Sequence, residues 1–492
     1  MTEPEKLSRR SFIRSSVAGS VTLPILGSLG AENASGNSVD TRSRVYRVNG
    51  CPVHDGQLRH AGMDAMLHLL SLHDTRFYKT AKRGVLCGPA GLIAADDVVL
   101  LKVNAQWKCR GCTNTDMLRG LIHRILQHPD GFRGEVVIFE NGQKRPATFD
   151  GIHNDGDKTE YKPFPELDGK VVVNAEQQDV TTIDYLVGTV FAGKPVSSFL
   201  LDPVADTWIA QDDHKTNGYR RIGEPGTPCI SYPCFTTAGG NRIELKEGRW
   251  TGSGYAQNLK LIHCSVLKDH SGDIGMTGAL KIVYGTLSMT DGTSAKRHYD
   301  DLGSQCARMW TEVRVSDLNI LDCIWVSYGS MTVNGRRVSG CVGYPPAITS
   351  RQNILLAGHD PLAIDDHANR HILLPLGGDN AARHDPDTNP RLISVYRQAQ
   401  ETINSAGGIH GRKVQTGDSN IQLLTAGALD SASLQAWNLH EQNLAQPEPV
   451  MAEKIDHARV GNPPEENANV HPGEDGRIAE QPTGDLSERV LS

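Results

Sequence analysis

The sequence predicts an α/β fold in which helices pack on both faces of a mixed or mainly parallel sheet. The main observation is a strand–helix–strand unit. VVLLKV at 98–103 and EVVIF at 135–139 are apolar runs of strand length, and between them DMLRGLIHRIL at 116–126 has apolar residues at helical spacing. Strands that flank a helix this closely pair in parallel. A second unit follows, because a strand-like run at 261–267 precedes a helix-like pattern at 276–284.

Further elements extend this pattern towards both ends of the chain. The segments 63–73 and 302–313 have apolar residues at helical spacing, whereas 318–326 and 353–357 are apolar and strand-like. The Asp-Pro pair at 360–361 then suits the N-cap and first position of another helix. Strands that alternate with helices in this way are typical of α/β domains.

Composition divides the chain into five predicted parts. They are a signal peptide at 1–34, a linker at 35–60, an α/β domain at 61–380 with an irregular insertion at about 145–258, a helical C-terminal extension at 381–445, and a disordered acidic tail at 446–492. The tail carries ten acidic and four basic residues, and it has too few apolar side chains to form a core.

The N-terminus indicates export. SRRSFIR at 8–14 is a twin-arginine pattern, and a moderately apolar segment at 17–29 and small residues near Ala31 and Ala34 follow it. We therefore expect the export machinery of the twin-arginine route as a partner, and the periplasm or the extracellular space as the location. The alternative is an ordinary basic N-terminus. Because this route carries folded proteins, often with a cofactor already bound, export also favours a cofactor.

Charge and hydropathy exclude two classes of partner. The formal net charge of the 492 residues is −7, and most of it lies in the acidic tail, so no basic surface for nucleic acid is expected. After the N-terminus, no apolar run reaches the roughly 20 residues that a membrane-spanning helix needs. The sequence therefore predicts neither a nucleic-acid-binding protein nor an integral membrane protein.

The ends of the predicted strands supply the candidate site. Ligands of parallel sheets bind beyond the carboxyl ends of the strands. Lys102 and Asn104 end the first strand, Glu140 and Asn141 follow the second, and Lys268 ends the strand at 261–267. Polar and cationic groups are therefore expected to meet at one edge of the sheet.

A loop and a predicted helix start add to this set. His270 follows Lys268, and Gly275 and Thr277 lie where a helix would present unpaired N–H groups, with Lys281 in the next turns. Cationic side chains and a helix N-terminus bind anions, so we predict a small anionic ligand. The alternative is a surface loop with solvated lysines.

Chemical roles follow from these residue types. A lysine that lies near other cations and is partly desolvated has a lowered pKa, which suits a base or a nucleophile. Lys102, His270 and Lys268 are therefore candidate catalytic residues. The candidate ligand-binding residues are Asn104, Thr277, Lys281 and Asp322.

Two sets of residues are candidate metal ligands, and the cofactor itself stays unknown. Asp360 and Asp365, with Asp322, would offer oxygen atoms to a divalent cation, although Asp360 has the alternative role of helix cap. Cys109 and Cys112 have the spacing of a redox or metal pair. With Cys229 and Cys234 they would form a four-thiolate metal or iron–sulfur site; the alternatives are two local disulfides or inert thiols.

Four blocks of the sequence resemble, in order, those of the domain-of-unknown-function 362 family. They are VVLLKVN, LIHCSVLKDHSGDIGMTGALKIVYG, LNILDCI and ILLAGHDPLAID, within residues 98–374. The resemblance falls on the following residues: Lys102, Asn104, Lys268, His270, Thr277, Lys281, Asp322, Asp360 and Asp365. It implies no particular activity. Some members also carry ferredoxin-type cysteine runs, but C-x-x-C-x-x-C-x-x-x-C-P is absent here.

These observations leave three functional hypotheses. The first is a periplasmic small-molecule enzyme with a Lys/His anion-binding pocket, with redox or metal assistance left open. The second is a periplasmic binding or assembly protein that holds a ligand without chemistry, and the third is a cysteine-ligated iron–sulfur protein. The motifs GxSxG, HExxH and GxxxxGK[ST] are absent from the sequence, so the corresponding hydrolase, zinc-protease and P-loop classes have no support.

Overall fold

A computed structural model describes residues 41–51, 58–105, 111–141, 182–223, 230–270, 274–288, 301–329, 331–333, 336–338 and 349–428. The strands are β1 (Ser43–Asn49), β2 (Tyr78–Lys79), β3 (Cys87–Gly88), β4 (Val98–Val103), β5 (Glu135–Glu140), β6 (Val196–Leu200), β7 (Gly218–Ile222), β8 (Ile230–Thr236), β9 (Arg242–Glu244), β10 (Gly248–Trp250), β11 (Tyr255–Ala256), β12 (Leu259–Lys268), β13 (Leu318–Ser327), β14 (Met331–Val333), β15 (Arg336–Val338), β16 (Thr349–Gly358) and β17 (Ile421–Gly427).

The α-helices are α1 (Ala61–His73), α2 (Thr115–Leu126), α3 (Ile183–Tyr185), α4 (Leu302–Arg308), α5 (Pro361–Ala368), α6 (Leu374–Leu376), α7 (Ala381–His384) and α8 (Pro390–Ser405). Wider π-helical turns continue three of them, at Leu186–Val190, Met309–Val313 and Asn369–Leu373. Among the described residues, no helix has both the length and the apolar character that crossing a membrane demands.

The central sheet has eight strands in the order β17-β1-β16-β13-β12-β4-β5-β6. Neighbouring strands are parallel from β13 to β6 and between β1 and β17, whereas β16 is antiparallel to both of its neighbours. Seven strands therefore point the same way, and the prediction of a mainly parallel sheet is confirmed.

Both faces of the central strands β4 and β5 are buried, which explains why these two strands are almost continuously apolar. Val99 and Leu101 of β4 pack with α1 and α2, whereas Val98 and Leu100 face the other core together with α4, α5 and α8. The alternation follows from the two-residue repeat of a strand. The helices thus lie on both faces, as predicted.

The predicted insertion contributes a second sheet. Strands β7 to β11 form an antiparallel sheet in the order β11-β10-β9-β8-β7, and its apolar residues join one core of the central sheet. The buried carboxylate of Glu135 at the start of β5 links the two parts, since it accepts hydrogen bonds from Ser197, Thr237, Asn241 and the N–H of Gly239. The strand-like piece at 171–173 lies outside the described residues.

The structure differs from the sequence interpretation at both chain ends. Part of the region assigned to a linker is strand β1, and part of the region assigned to a helical extension is strand β17. Each residue of β1 from Ser43 to Asn49 pairs with one of β17. Each segment has only seven residues, and its apolar and polar residues do not alternate regularly, which is a weak signal in a sequence. The predicted tail at 446–492 and signal peptide at 1–34 lie outside the described residues.

The helix predicted at 276–284 is wrong in extent. Gly275 has a φ of +86°, a left-handed conformation that favours glycine, and it turns the chain back so that Thr277 pairs with Lys268 in an antiparallel bridge. Both N–H groups of this bridge donate to the opposite carbonyl. Only Lys281–Gly285 is helical, as a 3₁₀ turn.

Candidate functional site

The connectivity of the central sheet creates one crevice at its carboxyl edge. From β4 the chain moves outward to β5 and β6, and it then returns to β12 on the other side of β4 and continues to β13. The carboxyl ends of β4 and β12 therefore lie at a topological switch point, where open α/β sheets bind their ligands. Lys102 is the second-last residue of β4, and Lys268 is the last residue of β12.

Lys102 forms a buried ion pair with Glu140. Its Nζ donates to Oε2 of Glu140 and to the carbonyl oxygen of Val103, the latter at 2.7 Å. The exposed fractions of the two side chains are 0% and 3%. Burial lowers the pKa of Lys102, although Glu140 opposes the shift. Burial also raises the pKa of Glu140 to about 7, against the effect of Lys102.

Gly285 closes over this pair. A Cβ at Gly285 would overlap Nζ of Lys102 and lie 2.5 Å from Oε2 of Glu140. The carbonyl oxygen of Gly285 accepts a 2.9 Å hydrogen bond from the N–H of Asn141, whose side chain donates to the hydroxyl of Tyr219. Glycine at 285 therefore lets the 3₁₀ turn approach the ion pair closely. Asn141 holds that turn in place.

Asn104 joins the two strands of the switch point. Its side-chain oxygen accepts a 3.0 Å hydrogen bond from the N–H of Val266, and its N–H donates to the hydroxyl of Thr113 at 2.9 Å. That hydroxyl donates in turn to the carbonyl oxygen of Cys264. These contacts give the predicted ligand-binding residue Asn104 a role in fixing the geometry of the crevice.

Asp322 lies beneath the N-terminus of α2. Its carboxylate accepts 2.9 Å hydrogen bonds from the N–H of Asn114, the N-cap of this helix, and from the N–H of Ile324. The side chain is fully buried, and an irregularity in β13 between Cys323 and Trp325 follows it. A negative charge at a helix N-terminus is stabilised by the helix dipole.

The predicted cationic residues converge in part. Nζ of Lys281 lies 2.6 Å from Nε2 of His270, so the 3₁₀ turn and the loop after β12 meet. Because an ammonium group can only donate, Nε2 of His270 is the acceptor and Nδ1 of the neutral ring carries the proton. Lys268 is 3% exposed and donates to the carbonyl oxygen of Gly111 at 2.6 Å.

Three further residues near His270 were not predicted from the sequence. Nη2 of Arg383 donates to the carbonyl oxygen of His270 at 2.8 Å and lies 3.5 Å from Oδ1 of Asp269. His384 presents one ring nitrogen to the carbonyl oxygen of Gly275. Asp269 is buried, which raises its pKa against the effect of Arg383. Its position directly after Lys268 was the one available signal, whereas α7 is distant in sequence.

The predicted anion site at the helix start is occupied by the protein itself. The carboxylate of Asp365 accepts hydrogen bonds from the N–H groups of Ala279 and Leu280, at 2.6 and 3.0 Å. Burial raises the pKa of Asp365 to about 7, although both N–H groups oppose the shift. Thr277 is buried beside this turn, and its hydroxyl has no hydrogen-bond partner among the described residues.

Asp360 is a helix cap, as its sequence context indicates. Its carboxylate accepts hydrogen bonds from the N–H groups of Leu362 and Ala363 in the first turn of α5, and from the hydroxyl of Ser43. Burial raises its pKa to about 6. With the N–H of Gln415, four donors form hydrogen bonds to this carboxylate. The same carboxylate is the predicted metal ligand Asp360.

The proposed thiolate ligands are described only in part. Cys112 is buried just before α2, and Cys234 is buried in β8 of the antiparallel sheet. Burial raises the pKa of Cys234 to about 12, which favours the thiol over the thiolate that metals require. Cys109 and Cys229 lie outside the described residues, so both the four-thiolate site and the local disulfides remain predictions.

A cavity of about 350 Å³ lies at the opposite edge of the central sheet. Lys260 near the amino end of β12 lines it, together with His359, His410, Arg412 and Lys413. This cavity also carries cationic side chains. Asp74, Asp317 and Asp360 line the same cavity, and Lys260 pairs with Asp317, so carboxylates offset these cations; the cavity serves as the comparison for the switch point.

The fold and the site define an α/β protein that has a mainly parallel sheet and a cluster of buried polar residues at its switch point. Residues 228–370 match a family model described as Domain of unknown function (DUF362). This match supports the family resemblance for that part of the chain; it includes three of the four resembling blocks and leaves out VVLLKVN. No curated protein and no solved structure matches the chain.

Proposed function

We infer that the protein binds a small anionic molecule at the switch point of its central sheet, between the loop after β12 and the 3₁₀ turn. The observation that carries this proposal is the contact between His270 and Lys281, beside the guanidinium of Arg383. His270 and Lys281 are only partly buried, so an incoming anion reaches them from solvent. Ammonium and guanidinium groups of this kind recognise phosphate or carboxylate.

Asp269 makes this site selective. Its carboxylate lies among the same cations, 3.5 Å from Arg383 and 3.8 Å from His384. A ligand that pairs with Arg383 must compete with the carboxylate of Asp269, whereas one that pairs with Lys281 meets the neutral ring of His270 at that ammonium group. The anion therefore binds at Lys281, and His270 lies close enough to move a proton to or from it.

Enzymatic activity on this small molecule is the favoured form of the proposal. The opposed pKa shifts of Lys102 and Glu140 bring their proton affinities together, which suits a proton-transfer pair. Lys268 and Asp322 hold the surrounding backbone in place. Redox or metal assistance would come from a cofactor of unknown identity.

One observation favours a ligand-binding protein without catalysis instead. Lys102 and Glu140 are closed off beneath Gly285, so a ligand at Lys281 does not touch them without a movement of the 3₁₀ turn. The two forms differ in turnover. A bound molecule that the protein returns unchanged would support the ligand-binding form.

Thermal unfolding with two simple anions tests the site. Phosphate and succinate, each compared with sodium chloride at equal ionic strength, should raise the Tm of the wild-type protein, because a ligand stabilises the state that binds it. Lys281→Met should abolish the rise. Lys413→Met, at the cavity on the opposite edge, should keep it. The proposal is overturned if neither anion stabilises the protein, or if Lys413→Met alone removes the effect.

Export by the twin-arginine route is the second part of the proposal. It rests on the arginine pair Arg9 and Arg10 and on the apolar segment behind it. The double variant Arg9→Lys/Arg10→Lys should accumulate in the cytoplasm, while the wild type reaches the periplasm. Equal amounts of the two proteins outside the cytoplasm would contradict this part without affecting the anion site.

A further inference from the structure

Two histidines and an aspartate outside the switch point lie together near the edge of the sheet. His367 is the second-last residue of α5, and His371 lies one turn later in the π-helical segment. Asp418 lies shortly before β17. One ligand atom from each of the three side chains lies within 4.8 Å of the others. Nε2 of His371 is 2.9 Å from Oδ1 of Asp418, and the two imidazole rings are 4.6 Å apart.

We propose that His367, His371 and Asp418 form a binding site for a divalent transition-metal ion of the zinc class. Imidazole nitrogen and carboxylate oxygen suit Zn²⁺ and Co²⁺, and three protein ligands leave an open position for water or a small molecule. With bonds of about 2.0–2.1 Å, ligand atoms around a tetrahedral zinc ion are about 3.4 Å apart. The ligand atoms, which lie within 4.8 Å of one another, would move closer together when the ion binds.

The backbone just before Asp418 is held in place by hydrogen bonds to two buried carboxylates. The N–H of Gln415 donates to Asp360 and the N–H of Gly417 donates to Asp366, both at 2.9 Å. Asp360 and Asp366 belong to the cap and body of α5, the helix that carries His367. The loop is therefore fastened to this helix just before Asp418. The side chain of Asp418 is 59% exposed, and the loop positions the backbone that carries it next to His371.

The helical segment that carries His371 has an unusual conformation. Asn369–Leu373 is π-helical, and such wide turns occur frequently at functional sites. His367 is buried, and His371 is 41% exposed. A metal ion bound here would therefore have one ligand within the protein and two at the surface, which allows entry from solvent.

Arg47 opposes metal binding in a way that can be measured. Its Nη1 lies 3.4 Å from Nε2 of His367. If the metal binds Nε2, Arg47 must move away, and if it binds Nδ1, the proton on Nε2 faces a guanidinium that can only donate. In both cases the arginine weakens the site. Removal of Arg47 should therefore strengthen metal binding, which an unrelated surface site would not do.

Calorimetric titration of the untagged, metal-free full chain with Zn²⁺ and Co²⁺ tests the proposal. We expect one high-affinity equivalent, a loss of at least tenfold in affinity for His371→Ala and for Asp418→Asn, and tighter binding for Arg47→Gln. His73→Ala changes an exposed histidine at the end of α1 and should leave the affinity unchanged. Both ligand variants alter exposed side chains, so the fold should persist, and circular dichroism verifies this.

The Co²⁺ spectrum separates this site from the cysteines. Ligation by nitrogen and oxygen gives d–d bands without a thiolate-to-cobalt charge-transfer band. Cobalt d–d bands that are the same in the wild type and in His371→Ala, an affinity that His371→Ala and Asp418→Asn leave unchanged, or the absence of binding would each overturn the proposal. None of these results bears on anion binding at Lys281.

Discussion

Replacement of Lys102 by methionine should destabilise the protein, and the loss should grow above pH 7. The variant removes an ammonium group from a pair whose side chains are at most 3% exposed and leaves Glu140 buried without its partner. Breaking a buried ion pair in this way costs about 3–5 kcal/mol of unfolding free energy. Methionine has a similar length, so little cavity is created.

The pH dependence follows from the raised pKa of Glu140, which is about 7 in the wild type. A carboxyl group with a raised pKa in the folded state stabilises the fold below its unfolded pKa, and this contribution is lost as the pH rises through the folded pKa. Without Lys102 the folded pKa is higher still, so the variant continues to lose stability when the wild type has stopped. At about 1.4 kcal/mol per pH unit, the cost at pH 8.5 should exceed the cost at pH 7 by about 2 kcal/mol.

Urea unfolding followed by circular dichroism at pH 6, 7 and 8.5 measures this cost. The double variant Lys102→Met/Glu140→Leu is the matched control. An apolar pair of similar volume should restore stability to within about 1.5 kcal/mol of the wild type and remove the added pH dependence. A single-variant cost that is equal at all three pH values would refute the reasoning, as would a double variant that is as unstable as the sum of the two single variants.

Three more predictions concern the same region. Gly285→Ala should cost about 1–3 kcal/mol in urea unfolding, because its Cβ would overlap Nζ of Lys102, whereas Gly254→Ala, where a Cβ meets open space, should cost under about 1 kcal/mol; equal costs would contradict the close approach. Asp322→Ala should cost about 2–4 kcal/mol, because the N–H of the α2 cap and a second N–H lose their acceptor, and an unchanged midpoint would be the contrary result. In Asp365→Asn, stability should decrease less steeply with pH between about pH 4 and 7 than it does in the wild type. The wild-type carboxyl has a pKa of about 7, so its stabilising contribution is lost as the pH rises through that range. A slope equal to that of the wild type would count against this assignment.

The elements of the fold were largely predictable, because buried parallel strands have long apolar runs. VVLLKV was predicted with the bounds that β4 has in the structure, and the Asp360 cap was recognised from the proline that follows it. The helix at 276–284 was wrong, because apolar spacing does not reveal that Gly275 turns the chain back into a bridge with Lys268. Backbone conformation of this kind overrides a short periodic pattern.

The residues at the carboxyl ends of the strands could be named from the sequence, but their pairings could not. Lys102 and Glu140 can be recognised as neighbours only when the register between β4 and β5 is known to one residue. The apolar pattern of two strands does not determine that register by itself. Arg383 reaches the loop after β12 from more than a hundred residues away, so local sequence gives no signal for it. Asp365 was predicted to be a metal ligand, because a sequence does not show which backbone N–H groups donate hydrogen bonds to a buried carboxylate.

Native mass spectrometry of the full chain, purified under mild conditions, tests most directly whether a small anion binds at the ammonium group of Lys281. The wild-type protein should carry a small negatively charged molecule that is released on activation in the gas phase. The Lys281→Met protein, with the same circular dichroism spectrum, should carry none. The same molecule at the same occupancy on both proteins would contradict the assignment of the site.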